Sequence, residues 1–190
     1  MRNATKCWGL MVLSAVLLSQ ATATITVNFN TIHSGATPDD PPWAVMTITN
    51  IAGGVSISLT NSATNPAGQF IGYLNLKFNT LPSGFNFTGD PFVNSISLGG
   101  FTDAGLSFNV KVNFKVASPS ARLLPGETST FTLLGVSESD FAGLPTSAMV
   151  HIQNIPPLGD SSKVIAPEPG SLIAIGTGLV SLLGLRRRKR

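Results

Sequence analysis

In the stretch LSFNVKVNFKV, Leu106, Phe108, Val110, Val112, Phe114 and Val116 alternate with Ser107, Asn109, Lys111, Asn113 and Lys115. A period of two sorts these residues onto opposite faces of an extended chain, one dry and one wet, whereas a helix would scatter them round its circumference. The same alternation runs through ITVNF, VSISL and AMVHI, and through FIGYLNLKF, where Phe70, Leu74, Leu76 and Phe78 share a face. WAVMTITNI and TSTFTLLGV read as less regular strands. Between them lie turn clusters such as TPDDPP, TNPAG, LPSG, TGDP and LLPGE, and no helical period interrupts the series from Thr24 to Leu158. Some eight to ten short strands with tight connections predict an all-β fold, an antiparallel β-sandwich of jelly-roll or immunoglobulin-like topology over residues 24–158.

The two ends of the chain follow other rules. Arg2 and Lys6 precede an apolar run from Trp8 to Leu18, and Ala21-Thr22-Ala23 has the small-x-small form of a cleavage site, with Ala21 and Ala23 as the small residues. These are the parts of a secretory signal peptide over residues 1–23, an N-terminal signal helix removed by signal peptidase. The single cysteine, Cys7, lies inside it, so the mature chain has no thiol, disulfide or Cys-metal chemistry. At the other end Gly170 to Leu185 is uncharged. As a C-terminal transmembrane helix it would span about 24 Å, against roughly 30 Å of hydrocarbon. Arg186, Arg187, Arg188, Lys189 and Arg190 close the chain and would hold that end on the cytoplasmic side. Residues 159–166, polar and short, read as a linker holding the domain off the membrane.

Charge distribution excludes a nucleic-acid partner. The formal charge is +3, yet the interior cations Lys77, Lys111, Lys115, Arg122 and Lys163 are outnumbered by nine acids and form no cluster. Phosphate binding needs clustered Lys and Arg on one face.

The ending PEPGSLIAIGTGLVSLLGLRRRKR resembles the PEP-CTERM sorting signal of exported bacterial proteins. Pro167, Glu168 and Pro169 match its motif, Ser171 to Leu185 its helix, and Arg186 to Arg190 its basic tail, which sets residues 167–190 apart as a sorting segment. The resemblance implies processing by exosortase near the motif, a Gram-negative host, and an association with exopolysaccharide. From Asp103 to Ile155 the order of elements also resembles the bodies of PEP-CTERM proteins, with Gly126-Glu127-Thr128 and His151-Ile152-Gln153 as the matching residues.

The body holds little that speaks of catalysis. Its histidines are His33 and His151, and no GxSxG, HExxH, P-loop or GxGxxG pattern occurs. His151 falls opposite Val150 and Ile152, which predicts an exposed strand residue. Asp39 and Asp40 sit in a proline-rich loop as turn formers, a poor start for a cation that wants six to eight oxygens, so no metal or cofactor is expected. Glu138 and Asp140 read as a solvated loop. Trp43 and Tyr73 are the mature residues with both an aromatic ring and a polar handle, and with His151 they are the candidate ligand contacts. Trp43 follows Pro41-Pro42 and is either a core plug or a contact residue. The phenylalanines read as core, and Asn86-Phe87-Thr88 is formally a glycosylation sequon.

The expectation is a non-enzymatic protein, exported, held at the inner membrane facing the periplasm, and then delivered to the cell surface or matrix. The alternative is a glycan-binding module that meets exopolysaccharide on the same route.

Overall fold

The computed structural model of the chain describes residues 24–143 and 146–166. The signal peptide with Ala21 and Ala23, and the sorting segment with Pro167, Glu168, Pro169, its helix and Arg186 to Arg190, lie outside the described residues. Within them no helix is long and apolar enough to cross a membrane.

Eleven strands form among the described residues, the longer ones where alternation meets a turn signal. In chain order they are β1 (Thr24–Phe29), β2 (Thr31–Gly35), β3 (Ala44–Ile51), β4 (Gly54–Asn61), β5 (Phe70–Leu76) and β6 (Gly84–Asn86). There follow β7 (Val93–Asp103), β8 (Leu106–Phe114), β9 (Thr128–Leu134), β10 (Ala148–Ile155) and β11 (Asp160–Ile165). One sheet has the order β1-β3-β4-β9-β6, the other β2-β11-β10-β5-β8-β7. All the pairings between these strands are antiparallel.

The inward residues of both sheets meet in one core. Val27, Phe29, Met46, Ile48, Ile57, Leu59, Phe131 and Leu133 come from the five-stranded sheet, and Leu74, Leu76, Val110, Val112, Val150 and Val164 from the six-stranded one. Burying one such side chain contributes roughly 1.5–3 kcal/mol. A core of this size therefore outweighs any polar bond on the surface, and a domain without cysteines can stand on it.

Two expectations change. Residues 159–166 are not a linker: Asp160–Ile165 is β11, paired on one side with β10 and on the other with β2. Its apolar residues are few and short, so the polar letters DSSK hide a strand whose Ser162, Val164 and Ala166 are nevertheless buried. The domain thus runs on to Ala166. The second change concerns LSFNVKVNFKV, which does not lie on one core. Val110, Val112 and Phe114 enter the central core, Phe108 and Leu106 join a separate cluster, and Val116 is exposed beyond the strand.

Candidate functional site

The separate cluster arises because the β7–β8 hairpin leaves its sheet. β8 pairs with β5 only through Val110–Asn113. Beyond that, the Asn109 side chain takes over, accepting from Phe78 N and donating to Phe78 O. The partner strand has a bulge between Leu98 and Phe101, with Gly99 at φ +136°, a backbone conformation that L side chains rarely adopt. A two-residue loop, Ala104 at φ +50° and Gly105 at φ +81°, closes the tip. His33 Nε2 on β2 lies 2.8 Å from Ala104 O. In the plane of the sheet, β8 and β2 stand four strand spacings apart, about 19 Å. The hairpin therefore folds back across the outer face of its own sheet.

Beneath this strap Phe108, Met149 and Ile165 are buried, with Tyr73, Phe101 and Leu106 packed on them. Asp103, at the strap's end, accepts from Lys163 Nζ at 2.5 Å and from Asn75 Nδ2 at 2.9 Å. Burial alone would push the Asp103 carboxyl up. Hydrogen bonds from Lys163, Tyr73 and Asn75 outweigh it and hold the group below the usual aspartate range. Tyr73 is pushed well above the ordinary phenol range, first by burial and then by the Asp103 carboxylate beside it. Its ring stacks on His151 with centroids 4.6 Å apart, and Lys111 Nζ sits 4.5 Å from its centre. His151 is held below its usual pKa by burial, helped by the Lys163 charge and opposed by Asp103. The imidazole thus lies against the Tyr73 ring, with the Lys163 and Lys111 charges near enough to disfavour its protonation.

Sequence reasoning placed His151 on the right face, but that face is covered here, so the residue is half-buried rather than exposed. Tyr73 shares its fate. Trp43, left open between two roles, is 4 % exposed, belongs to the central core and donates its indole N–H to Asp39 O. It offers no free ring face to a ligand. Glu138 and Asp140 cap a short turn: Asp140 accepts from Ser137 N and Oγ, each at 2.8 Å, and Glu138 bonds Asn50. Among the described residues no three His, Cys, Asp or Glu side chains converge as metal ligands.

A second feature lies at the mouth between the sheets, where the edge strands β6 and β7 part. A hollow of about 530 Å³ opens there, lined by Phe85, Asn86, Phe87, Thr88, Asp90 and Lys115 among others. Phe85 and Phe87 are near-parallel, centroids 6.0 Å apart, and Phe85 is 39 % exposed. Asp90 also lines the hollow. One of its oxygens accepts from Phe92 N and Val93 N, the other from Ser129 Oγ and Thr130 N, so the carboxylate pins the β6–β7 loop to β9. Lys115 Nζ rests 2.7 Å from Pro91 O and borders an adjoining hollow of about 290 Å³ next to Phe114 and Val116.

The third feature is the exit of the chain. β11 ends at Ile165 and Ala166 is buried, so the domain hands over to the C-terminal segment directly from a strand inside the six-stranded sheet. Residues 166–189 match the PEP-CTERM protein-sorting motif. The chain carries a PEP-CTERM sorting signal. That signal marks an exported protein sorted by exosortase to the cell surface. No curated protein matches the chain, and no solved structure does. The matched residues begin with the last residue of the described domain, so the PEP-CTERM segment follows the sheet without a spacer.

The residues that sequence reasoning passed over are Phe85, Phe87 and Lys115. The signal was there in GFNFTGD, where two phenylalanines alternate at the end of a three-residue strand beside a Gly-Asp turn. Phe87, just past the strand, packs against the core, while Phe85 stays 39 % exposed.

Proposed function

We propose that this PEP-CTERM protein is a non-enzymatic surface or matrix protein. It is exported with its signal peptide, held at the inner membrane by the segment after Pro169 with the domain in the periplasm, then cut by exosortase and delivered outside. The observation that carries the reading is the sorting motif attached directly to a strand of the domain's own sheet. Structural use of the polar groups supports it as well. Asp90, Asp103, Glu127, Glu138 and Asp140 are all engaged in bonds that tie loops and strands together. The two antiparallel sheets with a shared core support the reading of a β-sandwich, jelly-roll or immunoglobulin-like in topology.

The test is the intact mass of the protein recovered from its own cells and medium. A mass lacking residues 1–23 and everything beyond the Pro-Glu-Pro region is the expected result. A mass that keeps Gly170 to Arg190 would leave a membrane-anchored protein and overturn the processing step.

A second reading, glycan binding, is favoured by the aromatic hollow at the β6–β7 mouth. Exopolysaccharide is then the partner met on the outside.

A further inference from the structure

From the β6–β7 mouth we infer a binding site for the pyranose rings of a polysaccharide, with Phe85 as its stacking platform. The inference rests on the glycan-binding reading and gives it a place.

The argument is chemical. A sugar ring has an apolar face of C–H groups and a rim of hydroxyls, so its site needs an accessible aromatic face bordered by polar groups. An aromatic ring carries negative charge on its face, which suits the weakly positive C–H edge. Phe85 and Phe87 supply near-parallel rings, and Phe85 remains 39 % exposed although it is a large apolar side chain. Bordering them are the Asn86 amide, the Thr88 hydroxyl and the Lys115 ammonium. Asn86 Oδ1 accepts from Thr88 N, which leaves its Nδ2 as the amide's donor for a ligand. Lys115 holds Pro91 O with one proton and keeps two more. The hollow's volume of about 530 Å³ suits a small ligand.

Two further observations favour a chain of sugars. The site is an open seam between two sheet edges rather than a closed cavity, and a polymer can pass through a seam. The second hollow, about 290 Å³, shares Lys115 with the first in its lining. Asp90 takes no part, because all its bonds go to the protein. It ties the loop that carries the hollow's rim to β9.

The experiment is calorimetric titration of the protein as its own cells produce it, in a zwitterionic detergent that carries no sugar headgroup. The probes are a neutral β-1,4-glucan hexamer and a uronate hexamer. Saturable binding of at least one, weakened about tenfold in Phe85→Ala at an unchanged unfolding midpoint, is the expected result, since a packed aromatic contact carries roughly that much. Lys115→Met should weaken the uronate more than the neutral hexamer. A Thr26→Lys, Thr49→Lys double variant charges the outer face of the five-stranded sheet at β1 and β3, the edge opposite β6, and should bind as the wild type does. Binding that survives Phe85→Ala, or that the double variant abolishes, overturns the site while leaving the glycan reading intact. Binding of neither hexamer overturns both.

Discussion

The two sheets turn opposite kinds of outer face to their surroundings. On the five-stranded sheet, the register aligns Thr24, Thr49, Ser56 and Thr132 in one row, Thr26, Thr47, Ser58 and Thr130 in the next, and Asn28, Val45, Thr60 and Thr128 in a third. These rows are free of charge, and short hydroxyl contacts link Thr24 to Thr49 and Thr60 to Thr128. On the six-stranded sheet the corresponding face carries Met149, His151, Lys163 and Ile165, and the hairpin strap lies on it. The difference teaches that alternation settles which side chains share a face, but not whether that face meets water. A uniform row of hydroxyls is satisfied by solvent and needs no cover. A face with Met149 and Ile165 on it gains by being covered, and the bulge at Gly99 lets the hairpin bend far enough to do so.

If this comparison holds, equal substitutions on the two faces should differ in a definite order. The largest effect belongs to Phe108→Ala, which empties the strap's apolar anchor and should cost about 3 kcal/mol in urea unfolding. A loss under about 1 kcal/mol would show the strap to be loosely attached. Lys163→Met comes next. It leaves the Asp103 carboxylate short of a donor under partial cover, where about 2 kcal/mol is expected. Because Asp103 is held low, the loss should be present at pH 7 and fade only as pH falls below the ordinary aspartate range and through the depressed folded pKa, where the wild-type carboxylate also protonates.

Ala104→Gly should act in the other direction. The residue sits at φ +50°, where a Cβ costs about 1 kcal/mol, so relief of that strain should raise stability by roughly this amount. His151 supplies a pH signature of its own. Its folded pKa lies below the ordinary imidazole value of about 6.5, so the unfolded chain binds more protons in that range. Stability should be full above pH 6.5 and decline as pH falls toward the folded pKa. A His151→Gln variant should flatten that slope, and an unchanged slope would mean the imidazole is freely solvated. The smallest effect is expected on the bare face, where Thr47→Ala should shift stability by no more than about 0.5 kcal/mol.

Much of the molecule is legible in the letters. The strands carrying AVMTITNI, GVSISLTN and TSTFTLL stand where their alternation and turns put them, because half-buried strands must alternate. Shorter or more polar strands escaped. β2 with TIHSG, β6 with GFN and β11 with DSSKVI carry too few apolar residues to register as a period, and they form because neighbours offer them a ladder. Of the candidate contacts, Tyr73 and His151 do meet, but under a cover no spacing announces. Trp43 went to the core because the Pro41-Pro42 turn delivers it there.

By itself the sequence determined the class of fold, the faces of the long strands and the address written in the last residues. Each of these depends on neighbours along the chain, whose side-chain directions follow from backbone geometry alone. Only the tertiary structure decided that the outer face of one sheet is roofed by its own hairpin, that residues 160–165 complete a sheet, and that Phe85 of an edge strand opens onto solvent. Those outcomes depend on which strands become neighbours and where a sheet runs out of partners, and both are settled by contacts between residues far apart in the chain.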